Sequence, residues 1–136
     1  MSISKYNHEG YLDLTAYDAL TAIEQEKRSF RPIVYICSPY SGNVMHNTEM
    51  ACRYSRFAVD EGCVPIAPHL WLPLFISEEE ERELAMSAGL RLMDKCSELW
   101  VCGDRISDGM RREIAYAADN GILIRHVKEE EINVCN

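Results

Sequence analysis

From Pro32 onward, short apolar runs alternate with helical stretches, and this alternation restricts the possible folds more than any other feature of the chain. Ile33-Val34-Tyr35-Ile36-Cys37 is apolar and β-branched, as expected of a strand buried on both faces. Ser38-Pro39-Tyr40-Ser41-Gly42 reads as a turn. Asn47 to Asp60 reads as a helix, with Met50, Tyr54, Phe57 and Ala58 on one stripe and Gly62 just past its end. Cys63 to Pro68 is a second strand, and its two prolines put it near a sheet edge or end it early. Leu99 to Gly103 is a third strand, Gly109 to Asn120 a helix closed by Gly121, and Ile122 to Ile124 a fourth strand.

The fold class that follows is α/β: a Rossmann-like (flavodoxin-like) three-layer sandwich with four to five parallel strands covered by helices on both faces. Between the second and third strands lie an apolar segment, Leu70 to Ile76, and an acidic run at 78–81. The run reads as a charged lid or, favoured because acids suit a helix's first turn, as the solvated start of a helix continuing through Leu84, Ala85, Ala88, Leu92 and Met93. Ahead of the main fold, residues 1–12 read as a polar arm, and Thr15 to Arg28 as an amphipathic helix. The expected organisation is therefore an N-terminal arm and helix over 1–31, a main domain over 32–127, and an acidic, fraying tail over 128–136.

With 136 residues the chain suits one domain, long enough for a core without metal or disulfide staples. Fourteen basic residues against 22 acidic ones give a net charge of -8, which argues against a protein that grips a nucleic-acid polymer. A small anion remains an acceptable ligand, because a few local donors can hold one phosphate. No apolar run approaches a membrane span, and the first residues lack the pattern of a secretory signal, so a cytoplasmic location is expected. The six cysteines contain no C-x-x-C pair, and no histidine sits at metal-ligand spacing from them. They read as reduced, mostly buried thiols, and neither metal nor cofactor is expected.

In parallel sheets ligands bind at the carboxyl ends of the strands, which singles out the loops Ser38–Gly42 and Gly103–Gly109. The second loop opens a helix, whose free N–H groups can hold an anion. Ser107 or Asp108 can equally act as that helix's N-cap. Glu113 lies a turn further on, where a glutamate is ordinarily solvated.

The early V-Y-I-C-S-P-Y-S-G together with the later S-E-L-W-V-C-G-D-R-I-S-D-G-M-R-R-E-I-A-Y-A resembles the nucleoside 2-deoxyribosyltransferase-like superfamily over residues 32–127. The likeness is greatest to an uncharacterised, phage- and Firmicute-associated branch, related to the 2'-deoxynucleoside 5'-phosphate N-hydrolases. Its most specific element is Ser107-x-Gly109-x-x-x-Glu113 after a strand. The resemblance implies that Glu113 is a nucleophile attacking the anomeric carbon of a deoxyribosyl group, a task suited to a carboxylate. It implies that Tyr35 holds this glutamate through its hydroxyl, and that Ser107 and Gly109 hold the sugar's 5' end. A serine there leaves room for a 5'-phosphate, since it donates a hydrogen bond where an aspartate would repel.

The chain also departs from the pattern. At the position of the family's usual base-directed aspartate stands Leu90, which transfers no proton; Asp94, one turn later, is the candidate in its place. The first loop has Ser41 where nucleotide hydrolases have an arginine, for which Arg53, Arg111 or Arg112 can compensate. His69 sits at the end of the second strand and can contact a base or act as an acid, and Trp71 can stack on a base. The candidate catalytic set is thus Glu113, Tyr35 and Asp94. The substrate-binding set is Ser38, Pro39, Tyr40, Ser41, Gly42, His69, Ser107, Asp108, Gly109 and Met110. The expected activity is cleavage or transfer at the N-glycosidic bond of a (deoxy)nucleoside or its 5'-monophosphate. The alternative is a non-catalytic nucleotide-binding module. The resemblance further implies a homodimer or higher homo-oligomer, with the helix at 15–28 and the segment at 70–76 as candidate interfaces.

Overall fold

The computed structural model describes residues 30–134; the arm and helix expected before Phe30 lie outside the described residues. Four strands form one all-parallel sheet: β1 (Ile33–Cys37), β2 (Val64–Ile66), β3 (Glu98–Cys102) and β4 (Leu123–Val127), in the order β2-β1-β3-β4. Among the described residues four α-helices accompany them: α1 (Val44–Asp60), α2 (Arg82–Met93), α3 (Asp108–Asp119) and α4 (Glu129–Val134). β2 is a short edge strand, in keeping with its prolines.

Alternation along β1 and β3 divides the interior into two layers. Val34, Ile36, Trp100 and Cys102 point to one face, where α1 adds Met50, Tyr54, Phe57 and Ala58 and α4 adds Ile132. Tyr35, Cys37, Leu99 and Val101 point to the other, against Met93 of α2 and Met110 and Ala117 of α3. The result is the three-layer Rossmann-like sandwich that the sequence led one to expect.

The boundaries differ from expectation where a side chain rather than periodicity sets them. α1 begins at Val44, before Asn47, because the Asn43 side chain accepts the His46 N–H at 3.2 Å and caps the helix. Asn47 is instead buried, and its amide donates to the carbonyls of Tyr40 and Ser41, both at 3.0 Å, pinning the loop after β1. The apolar segment Leu70 to Ile76, given no element from the sequence, follows and contains short 3-10 turns, Pro68–Leu70 and Leu72–Leu74. The acidic run precedes α2 rather than starting it. The Ser77 hydroxyl accepts the Glu80 N–H at 3.2 Å and the Glu81 carboxylate accepts the Ser77 N–H at 3.1 Å, closing a separate turn. Beyond β4 the described part of the tail does not fray. Residues 129–134 are helical, because burying Ile132 against the first layer rewards that order.

Candidate active site

A cleft opens at the carboxyl ends of the strands, between α2, α3 and the loops that follow β1 and β2; it holds about 730 Å³ of empty space counting its mouth. Glu113 is built into its wall. α3 starts where Ser107 caps it, accepting the Met110 N–H at 3.3 Å. Glu113, in the next turn, then lies against β1, not in solvent, although one turn into a helix is ordinarily a solvated position. The Tyr35 hydroxyl donates to Glu113 Oε2, and the Cys37 thiol donates to Oε1 at 3.5 Å. Tyr35 and Cys37 sit two residues apart on β1, so the pleat points both at the same carboxylate.

Electrostatics follow from this burial. Glu113 keeps some surface toward the cleft, yet desolvation pushes its pKa up to about 7, and the two hydrogen bonds only partly oppose this. Glu78 across the cleft raises it further through like charge. The same desolvation, with the nearby carboxylate, holds the Tyr35 hydroxyl and the Cys37 thiol well above their usual range, so both remain protonated donors. His69 places Nε2 3.1 Å from Ser38 Oγ and packs edge-on to Tyr40, with ring centroids 6.1 Å apart. Burial lowers its pKa to about 4, so the ring is neutral at neutral pH.

The structure brings together Glu113, Tyr35, Ser38, Tyr40, Ser41, His69, Ser107, Gly109 and Met110 around this one cleft. It does not bring Asp94. That carboxylate accepts the Tyr116 hydroxyl at 2.6 Å and lies 3.8 Å from Arg91, because the turn ending α2 directs it along the outer side of α3. Asp108 also points away: its side chain is 89% exposed and pairs with Arg111 at 3.5 Å, and Ser107 is the cap. Gly42 is absent from the lining and serves the turn, with φ at +99°. Pro39 faces a second cleft on the α1 side, lined also by His46, Asn47, Tyr54, Arg105 and Glu129. None of the arginines named as substitutes enters the first cleft. Arg112 is paired with Glu83 through two 3.0 Å bonds, Arg111 with Asp108, and Arg53 reaches Asn133.

Arg82, in the first turn of α2, lines the cleft instead, as do Glu78, Met86 and Gly89. Sequence reasoning passed over all four. Glu78 looked like one of four solvated acids, yet it is partly buried while Glu79, Glu80 and Glu81 are exposed. Gly89 carried a signal: a glycine in a helix interior costs about 1 kcal/mol against alanine, so it wants a reason. The reason is Tyr35, whose hydroxyl lies 2.9 Å from where a Cβ on Gly89 would stand.

Residues 32–127 match the family described as Domain of unknown function (DUF7768). The chain belongs to that family. The DUF7768 match runs from β1 through β4 and contains every residue lining the cleft. No curated protein matches the chain. Among the described residues, no helix is long and apolar enough to cross a membrane, and no group of three or more His, Cys, Asp or Glu side chains is placed to hold a metal ion.

Proposed function

We propose that the cleft binds a (deoxy)nucleoside or nucleoside 5'-monophosphate and breaks or transfers its N-glycosidic bond, with Glu113 as nucleophile. The observation that carries this is the Glu113 carboxylate itself: desolvated, aimed into a cleft at the strand ends, and held by the Tyr35 hydroxyl. A structural glutamate gains nothing from such burial without a cation, and no cation pairs with it among the described residues. A nucleophile gains orientation, and a partly dehydrated carboxylate suits the oxocarbenium-like charge that develops at the anomeric carbon.

The walls fit the rest of such a substrate. Ser107 uses its lone pair to cap α3, which leaves its own proton to donate to a 5' hydroxyl or phosphate oxygen near the start of that helix. Arg82 lines the same cleft, and no hydrogen bond or ion pair engages it among the described residues. Tyr40 and the neutral His69 offer faces and edges for a base. Trp71, Leu74 and Phe75 are exposed beside Leu72, which lines the cleft. This supports the expectation of a homo-oligomer assembled near the site, and sedimentation would measure it.

The test is a base-release assay over a panel of deoxynucleosides and their 5'-monophosphates, with Glu113→Ala as control. Release lost in that variant upholds the nucleophile. A second reading, a non-catalytic nucleotide-binding module, is favoured by the position of Asp94, bound to Tyr116 outside the cleft. Silence across the panel together with thermal stabilisation by one of its members would select it.

A further inference from the structure

Glycosidic cleavage through a carboxylate ordinarily needs a second acid–base group: the departing base accepts a proton, and the attacking water gives one up. Neither of the two groups that sequence reasoning offered fills this role. Asp94 is outside the cleft, and His69, neutral and bound to Ser38, is a poor proton donor. A second carboxylate does face the cleft. Glu78 lines it with Glu113, close enough that its like charge raises the Glu113 pKa. The turn closed by Ser77 and Glu81 fixes the backbone around Glu78, and it is the only member of the 78–81 run that lines the cleft. No hydrogen bond or ion pair engages Glu78 among the described residues; the charged neighbour on α2 is Arg82, and the other titratable groups around the cleft are Tyr35, Tyr40, His69 and Glu113. Two carboxylates that face one cleft, neither of them ion-paired among the described residues, supply the two roles this reaction divides: one attacks the anomeric carbon and the other gives and takes a proton.

We propose that Glu78 is the acid–base residue of the glycosidic reaction proposed above, on which this assignment rests. In the first step the bond from the anomeric carbon to the base nitrogen breaks and its electron pair goes to the base. The Glu78 carboxyl gives its proton to the base, and a Glu113 oxygen bonds to the anomeric carbon. In the second step water bonds to that carbon, the Glu78 carboxylate takes the water's proton, and the Glu113 oxygen leaves with its electron pair. Both glutamates end as they began.

The experiment compares wild type, Glu78→Gln and Glu113→Ala on two substrates: the nucleotide of the panel that turns over fastest, and the same nucleotide with a ring-methylated, cationic base. The methylated base departs neutral and takes no proton. Glu78→Gln is expected to slow release from the unmodified nucleotide about 100-fold or more, and from the methylated one by less than about ten-fold. Equal loss on both, or none on either, overturns the assignment. Release that needs neither glutamate, or no release by wild type, overturns the nucleophile reading and this assignment with it. Release that needs Glu113 but not Glu78 overturns this assignment alone. A second readout is independent of turnover: carboxyl carbon titration by nuclear magnetic resonance. The Glu113 midpoint should fall in Glu78→Gln, because a like charge has gone; an unmoved midpoint overturns the placement of Glu78 beside it.

Discussion

The two faces of the sheet are built from the same strands and serve opposite ends. On the α1–α4 face the strand residues Val34, Ile36 and Trp100 meet Met50, Phe57 and Ile132, and nearly everything buried is apolar. On the α2–α3 face the same strand, one residue out of phase, presents Tyr35 and Cys37 to a partly buried carboxylate. Each face also holds one buried tyrosine whose hydroxyl lies against a glycine: Tyr35 at Gly89, and Tyr54 at Gly103. Tyr35 has Glu113 as its partner, whereas the Tyr54 hydroxyl has none among the described residues. Buried apolar area stabilises the fold, while a desolvated Glu113 destabilises it near neutral pH. One face therefore carries the stability that the other gives up by burying a carboxylate.

The strongest way to break this contrast is Glu113→Gln. It should reduce base release about 10⁴-fold or more while making the protein more stable at alkaline pH. The sign follows from the raised pKa. A carboxyl that titrates near 4.5 unfolded and about 7 folded stabilises fully below pH 4.5, and that contribution is lost as pH rises through 7. Urea unfolding should thus show wild type and variant equal near pH 4, with the variant ahead by up to about 3 kcal/mol at pH 8. For the same reason the proposed base release, with an ionised Glu113 as nucleophile, should fall as pH drops below about 7, a profile that initial rates would trace.

Trp100→Ala tests the other face. Truncating a side chain only 1% exposed should cost about 3–5 kcal/mol in the same unfolding experiment, yet leave the Glu113 titration midpoint where it was. A shifted midpoint would show that the two layers are coupled through the sheet.

The paired glycines sharpen the comparison with a smaller effect. In Gly89→Ala, the gain in helix propensity of about 1 kcal/mol is offset by the 2.9 Å approach to the Tyr35 hydroxyl, so net stability should change by less than about 1 kcal/mol. The displaced hydroxyl no longer holds the Glu113 pKa down, so its midpoint should rise and activity at pH 7 fall. Gly103→Ala, at φ +92°, should cost about 1–2 kcal/mol of strain without moving that midpoint. The smallest effect belongs to Arg112→Ala. It removes an exposed ion pair with Glu83 outside the cleft, so turnover and melting temperature should stay within experimental scatter.

Much of this was legible beforehand because it depends on local rules. Short apolar runs at β1 and β3, periodicity near 3.6 in α1, and glycines after the helices define a parallel α/β sheet regardless of long-range detail. The two loops at the strand ends could be singled out for the same reason, whereas site roles for Ser107, Gly109 and Glu113 came only from a resemblance to a known family. What remained hidden depends on direction and distance between elements far apart in sequence. Asp94 and Glu78 are both acids beside α2, and no spacing rule says that one is drawn to Tyr116 while the other faces Glu113. Gly89 reveals its purpose only when β1 brings Tyr35 against it. The sequence by itself determined the layers, the strand ends and the glutamate on α3. Tertiary structure alone decided which carboxylates share a cleft, because burial and like-charge coupling exist only once 78 and 113, 35 residues apart, are folded against one another.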